Sequence, residues 1–302
     1  MMSVGISRMR RVLAAPAVVL LGLLASAAAN ANPQPWQLNM TRGATQTARE
    51  VHDIHMVVLW ICVAIGVVVF GVMFVAMFRF RKSKGAVPAT WSHSTKLEAI
   101  WTIIPILILI ASAWPATTLL IRMADTSESE MTIKVTGYQW KWRYEYVDYF
   151  GKQPGINFVS SLESQANRTR QLGSGMDPRD IKVDGHSTYL LDVDKPLVLP
   201  VGVKVRFVVT ADDVIHSWWV PALGWKQDAI PGIINSAWTR VDEPGIYRGQ
   251  CAELCGRDHA FMPIVVKVLP KAEFEQWMTA QAPAPATAAT ATTLAPTTAP
   301  QG

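Results

Sequence analysis

Two long runs without a charged residue dominate the pattern of apolar and polar positions. Residues 56–78, "MVVLWICVAIGVVVFGVMFVAMF", would make roughly 35 Å of helix, enough to cross a hydrocarbon layer. Residues 99–121 form a second run of the same length that contains Pro105 and Pro115, which membrane helices tolerate better than soluble ones. Between them Arg79, Arg81, Lys82 and Lys84 form a basic loop, and basic loops stay on the cytoplasmic side. The pattern therefore predicts a two-helix hairpin over 56–122 with a cytoplasmic loop at 79–98. Its flanks, 32–55 and everything after Arg122, would face the periplasm. Upstream, Arg8, Arg10 and Arg11 precede a short alanine-rich apolar run that ends in Ala29-Asn30-Ala31. This predicts a secretory signal over 1–31, with a third membrane helix as the competing reading.

After residue 130 the pattern changes to short β-type runs such as "VKVRFVVT" and "PIVVKVL", broken by Gly, Pro and Asp. An all-β domain is expected over 123–278. In its first run Ile133 and Val135 occupy odd positions, whereas Tyr138, Trp140, Trp142, Tyr144 and Tyr146 occupy even ones, which predicts one strand with a bulge at Gly137. Residues 160–185 read as a polar loop. The Ala/Thr/Pro tract over 279–302 buries too little apolar surface to offset chain entropy and reads as a disordered tail.

Composition supports a membrane-embedded part: 50% of the 302 residues are hydrophobic and 17% charged. The net charge of +5 does not indicate a nucleic-acid partner. Residues 1–121 hold ten Lys/Arg against three Asp/Glu, and the remainder holds eighteen against twenty, so the excess lies beside the membrane.

The candidate chemistry is concentrated in "GQCAELCGRDHAFMP", residues 249–263, which places Cys251, Cys255, His259 and Met262 within twelve positions. Thiolate, imidazole and thioether favour copper together, whereas zinc has little use for methionine. Plainer readings compete: a structural disulfide, a polar histidine and a core methionine. The third cysteine, Cys62, lies in the first apolar run and reads as packing. His216, in "DDVIHSWWVP", offers a second imidazole. Two thiolates, two imidazoles and a thioether exceed what one blue-copper ion uses. The surplus thiolate implies a second ion, with both sulfurs bridging and one weak position per ion left for Met262 and a carbonyl oxygen.

The segments "GYQWKWRYEY", "DDVIHSWWVPALGWKQDAIPG" and "GQCAELCGRDHAFMPIVV", together with the hairpin, resemble subunit II of bacterial cytochrome c oxidases of the haem-copper, aa3 type over residues 50–278. The resemblance implies a cupredoxin-like Greek-key barrel in the periplasm, on a bacterial inner membrane. That barrel would carry a dinuclear copper centre, CuA, which takes electrons from cytochrome c. The electrons would pass to haem a of subunit I, whose haem a3 and CuB reduce oxygen with coupled proton pumping; subunit III is a further implied partner. By matching positions, Cys251 and Cys255 would bridge the coppers, His216 and His259 would be terminal ligands, and Met262 and the Glu253 carbonyl axial ones. The Glu253 side chain would bind a magnesium ion shared with subunit I. Trp140 matches the point of electron entry and Glu98 the mouth of the K proton channel. Glu145, Asp148, Asp194, Asp212 and Asp213 match acidic groups that steer a basic cytochrome c. Lys141 and Arg143 depart from an acidic docking face. The chain has no C-x-x-C-H haem-attachment motif, and His52, His55, His93 and His186 show no metal pattern. A copper chaperone or thiol oxidoreductase is the alternative function, set against the hairpin and His216. A quinol-oxidase subunit lacking the copper centre is set against the intact ligand set.

Overall fold

The computed structural model describes residues 36–172 and 188–281. The expected signal segment, His186, the second half of the polar 160–185 stretch and the tail after Gln281 lie outside the described residues. Both apolar runs are helical. Helix α1 spans Gln46–Arg79 and α2 spans Thr95–Ala124, joined through a single 3-10 turn at Lys82–Lys84. Both are long and apolar enough to cross a membrane, and nearly all of their large apolar side chains are exposed in the isolated chain. Pro105 and Pro115 sit inside α2 as expected.

Helix α1 starts ten residues before its apolar run, inside the segment expected to be a separate N-terminal stretch. The extra turns pack on protein rather than lipid, so charged residues are tolerated there. The Thr45 hydroxyl caps the helix by accepting from the Ala48 amide at 2.9 Å, and donates to the Leu223 carbonyl at 3.0 Å. Ala48 is buried against Gly224, whose φ of +84° suits glycine. Arg49 pairs with Asp242, and Glu50 with Arg122 of α2 at 3.0 Å. The indole of Trp238 donates to the Arg122 carbonyl at 3.0 Å, and Lys204 lies 4.6 Å over that ring. The hairpin is thereby fastened to the following domain at the ends of both helices.

That domain is two five-stranded sheets. The first holds β1 (Met131–Tyr138), β2 (Lys141–Tyr149), β3 (Asn157–Ser160), β5 (Val205–Ala211) and β8 (Asn235–Thr239), in the order β3-β2-β1-β5-β8. The second holds β4 (Leu197–Pro200), β6 (His216–Val220), β7 (Trp225–Ala229), β9 (Gly245–Cys251) and β10 (Pro263–Leu269), in the order β4-β10-β9-β6-β7. The pairs β1–β5 and β4–β10 are parallel and the others antiparallel. Ile133, Val135, Trp142, Tyr144 and Phe207 from one sheet and Trp218, Val220, Ile264 and Val266 from the other form one core between them.

Three expectations need correction. Residues 133–146 are two strands, because the chain turns at Gln139-Trp140 and Tyr138 pairs with Lys141. An antiparallel hairpin of this register pairs odd with even positions, such as Val135 with Tyr144, so both apolar sets face the core without a bulge at Gly137. The bulge lies instead at Thr132/Ile133, where Val147 is left out of register. The β domain also carries two short helices. Helix α3 (Ser164–Leu172) forms within the polar stretch, where the Glu163 carboxylate accepts from the Gln165 and Ala166 amides at 2.8 Å. Helix α4 (Lys271–Gln281) extends three residues past the expected tail boundary, held by buried Phe274 and by Trp277 at 5.4 Å from Tyr146.

The contact between α1 and Gly224 leaves no room for a side chain: a Cβ there would lie 2.5 Å from the Ala48 Cα. Gly232 has a similar φ of +76° but open space around it. Gly232→Ala should cost about 1 kcal/mol for the left-handed backbone, and Gly224→Ala a further 1–3 kcal/mol, roughly, for overpacking. Denaturant midpoints of the two variants in detergent measure the difference. Equal losses would contradict close packing of α1 on the domain.

Candidate metal centre

The cysteine, histidine and methionine side chains named from the sequence converge at one end of the sandwich. Strand β9 ends at Cys251, which pairs with Trp218 of β6, so His216 at the start of β6 lies beside it. The Ala252 amide donates to the Ser217 carbonyl at 2.9 Å and fixes the exit of the chain from β9. The loop returns through Cys255, a 3-10 turn at His259–Phe261 and Met262 before β10 begins. The two thiols stand 3.8 Å apart and are both free, so the disulfide reading does not hold. Cys251 Sγ lies 3.9 Å from His216 Nδ1 and 3.4 Å from the Glu253 carbonyl oxygen. Cys255 Sγ lies 3.5 Å from His259 Nδ1 and 3.5 Å from Met262 Sδ. His216, Cys251 and Cys255 are buried, with ligand atoms within 4.8 Å of one another. Two sulfurs, two imidazoles, a thioether and a carbonyl oxygen around one point suit copper better than zinc.

Residues outside the sequence motif hold this arrangement. His216 Nε2 meets Asp213 Oδ1 at 2.9 Å, and the Asp213 carboxylate also accepts from the Gln139 and Val214 amides, each at 2.7 Å. A carboxylate on the far nitrogen of a ligand histidine fixes the ring and raises its basicity. The Gln139 side chain donates to the Cys255 carbonyl at 2.8 Å, and Trp140 Nε1 donates to the same oxygen at 3.3 Å. The Trp142 indole points to the Met262 carbonyl at 3.4 Å, and its ring meets the His216 imidazole edge-on at 5.9 Å. A Cβ at Gly137 would come within 2.9 Å of the His216 ring, so this glycine makes room for the imidazole. None of these supporting roles was singled out in advance for Gln139, Trp142 or Gly137. The "GYQW" run was notable for its aromatics, and nothing in its spacing indicates which loop it meets.

Burial and close charges act against each other across the cluster. Burial opposes charge on His216, but its contacts with Cys251 and Asp213 outweigh burial and raise its pKa. Burial likewise opposes a Cys251 thiolate, yet His216 and the backbone groups of Ser217 and Glu253 bring that thiol below its ordinary value. The Asp213 carboxyl is lowered because His216 and two amides outweigh its partial burial. Cys255 is pushed up to about 12 by burial and by the neighbouring Cys251.

The remaining named residues divide. Trp140 is half-buried against Cys255 and Gly256 rather than fully exposed. The Glu253 side chain is exposed beside the cluster, and Asp212 is exposed in the same loop as Asp213. Glu145 is paired with Lys134 at 3.1 Å, Asp194 accepts from the Ser161 amide at 2.8 Å, and Asp148 faces the Gly151 amide at the far end of β2. Burial, Asp212 and Glu145 together raise the Tyr138 pKa, so these two carboxylates share a neighbour. Glu98 is exposed in the first turn of α2, far along the hairpin from the cluster.

A two-helix anchor, a ten-stranded sandwich and a buried group of sulfur and imidazole donors define a membrane-tethered protein of the cupredoxin-like class. Residues 131–269 match the model of the cytochrome c oxidase subunit II periplasmic domain, and residues 33–119 that of the transmembrane domain of the same subunit. The chain belongs to the cytochrome c oxidase subunit II family. It is 40% identical over 263 residues to a probable cytochrome c oxidase subunit 2 of Rickettsia bellii, covering 86% of this chain and 91% of the relative. With cytochrome c oxidase subunit 2 of Cereibacter sphaeroides it shares 38% identity over 269 residues, covering 85% and 87%. Among solved structures, the periplasmic domain of subunit II from Bradyrhizobium japonicum is 36% identical, covers 52% of this chain and 96% of that one, and has a TM-score of 0.43.

Because Cys255 keeps its proton at pH 7, any metal bound by both sulfurs must displace it. The apparent copper affinity of the metal-free chain should therefore rise about tenfold per pH unit from pH 6 to 8 for this proton alone. Release of the His216 proton steepens the profile further below the raised pKa of that imidazole. Competition titrations with a copper chelator measure the slope, and a flat profile would show that Cys255 is already ionised.

Proposed function

We propose that this chain is the electron-entry subunit of its oxidase, receiving electrons from cytochrome c and passing them to the haem-bearing subunit I. The observation that carries this reading is the matched donor set. Two free thiols lie 3.8 Å apart, Cys251 with its own imidazole at 3.9 Å and Cys255 with its own at 3.5 Å. Such a set suits two ions sharing both sulfurs. Cys251 and Cys255 would bridge them, His216 and His259 would each bind one, and Met262 and the Glu253 carbonyl would supply the weak axial positions. When bound, the copper pair supplies reversible one-electron storage.

The chain's own residues do the rest. Asp213 holds His216 in orientation, and burial of both thiols excludes water from the cluster. The Trp140 indole, half-exposed and hydrogen-bonded to the Cys255 carbonyl, links the surface to a ligand residue and is the proposed entry point. Asp212 and Asp213 border that point and are the carboxylates best placed to meet a basic cytochrome. Glu145, Asp148 and Asp194 would add to the steering field. The exposed Glu253 side chain is available for a magnesium ion shared with subunit I. Glu98 would lie at the cytoplasmic membrane face, at the mouth of the K proton channel in subunit I. The basic Arg79–Lys84 loop sets the orientation of the hairpin, with the β domain in the periplasm. A copper chaperone or thiol oxidoreductase needs accessible thiols, and these are only 6% and 3% exposed.

Metal analysis of the purified chain should find two coppers, with an EPR signal spread over both nuclei. Cys255→Ser should collapse that signal, and Met262→Leu should keep most of the copper while shifting the potential. One copper, or zinc alone, would overturn the proposal.

In the assembled oxidase, Trp140→Phe keeps an aromatic ring but loses the indole N–H and its hydrogen bond to the Cys255 carbonyl. Electron entry in stopped-flow mixing with reduced cytochrome c should slow by about 10–100-fold, the usual cost of losing a contact just outside the ligands. Copper content should be unchanged, and normal entry would place the route elsewhere.

A further inference from the structure

The two ligand histidines are supported differently. His216 is fully buried and meets Asp213 through its outer nitrogen. His259 is half-exposed, and among the described residues no hydrogen bond reaches its Nε2. A ligand histidine without such a partner depends on its backbone for orientation. That backbone is a short 3-10 turn, closed by the His259 amide on the Gly256 carbonyl at 3.2 Å and the Phe261 amide on the Asp258 carbonyl at 2.9 Å. Such turns are weak by themselves.

From outside the ligand loop, Arg170 of α3 reaches this turn. Its guanidinium lies 4.1 Å from the centre of the Phe261 ring, and Nη2 lies 3.4 Å from Asp258 Oδ2. Phe261 and Asp258 flank His259, so one planar cation holds both ends of the turn. The Arg170 side chain is itself fixed, with Nε donating to Asn167 Oδ1 at 2.8 Å. Arg170 and Asp258 are 19% and 17% exposed, so the pair is shielded enough for stacking and charge to matter. Asp192 likewise accepts from Arg248 of β9 at 2.9 and 2.7 Å, three residues before Cys251.

We infer that Arg170 is a positioning residue for the metal centre, holding the turn that presents His259 and so setting how firmly the outer half of the cluster keeps its ion. The inference rests on the copper reading given above. Lysine would keep the charge opposite Asp258 but lose the flat face that lies on Phe261.

The test compares full-length parent chain, Arg170→Ala, Arg170→Lys and Phe261→Leu, with Arg168→Ala as the control from an exposed position on the same helix. Each is loaded with copper, and the rate of copper loss to excess chelator and the EPR hyperfine pattern are recorded. Arg170→Ala and Phe261→Leu should lose copper about tenfold faster and show altered hyperfine splitting. Arg170→Lys should fall between them and the parent, and Arg168→Ala should match the parent. If Arg170→Ala does not accumulate, Phe261→Leu and Arg170→Lys give the same reading. A parent that binds no copper would overturn the metal reading and this one with it. A copper-loaded parent whose variants show unchanged spectra and loss rates would overturn the role of Arg170 alone, including the case in which only thermal stability falls.

Discussion

Two thiols buried side by side are the constraint on which the rest of the site depends. At 3.8 Å they are too far apart to be bonded and too close to ionise together, and burial penalises either thiolate. The His216 imidazole stands beside Cys251 and favours its ionised form. The Asp213 carboxylate meets the outer nitrogen of that imidazole and favours its charged form. Asp213 in turn is held by the Gln139 and Val214 amides, and this sets the turn that carries Trp140. Each residue is placed by the electrostatic demand of the one before it. The chain of demands starts in the core and ends at the surface aromatic ring.

Strand directions keep this sequence of contacts away from the membrane anchor. Strand β1 begins six residues after α2 and ends beside Trp140, while β6 begins at His216 and ends next to the turn that packs on Ala48. Anchor contacts and the loops that carry the sulfur and imidazole donors thus sit at opposite ends of the same strands, separated by about 16–26 Å of β structure.

Legibility of the sequence followed the range of the interactions. The two spans could be read because lipid imposes a long uninterrupted apolar run, and β10 because "PIVVKVL" carries its own β-type composition. The start of α1 could not, since residues 46–55 are helical through packing against Gly224 and Asp242, far off in sequence. The reading of a bulge at Gly137 failed for a related reason: a change of parity along a chain is equally the mark of a bulge and of a tight hairpin, and only pairing decides between them. The soft donors were recognisable by type. Their supports, Gln139, Trp142 and Arg170, carry no chemistry of their own and gain significance only from what lies opposite.

The two halves of the cluster are consequently unequal, and the inequality bears on electron flow. The Cys251–His216 half is closed by the core, with Trp142 and Asp213 against the imidazole. The Cys255–His259 half lies under the Trp140 ring, next to exposed Leu254 and Gly256. In the proposed role, an electron arriving at Trp140 meets Cys255 first, through a carbonyl that also accepts from Gln139. That carbonyl is held by two donors from one turn, so the ring and the sulfur-bearing loop cannot move independently. In that same proposed role, rigidity at this contact would matter more than at the closed half, because a docking partner would press on the open one. The closed half, insulated by packing, would hold the site's geometry while partners bind and leave.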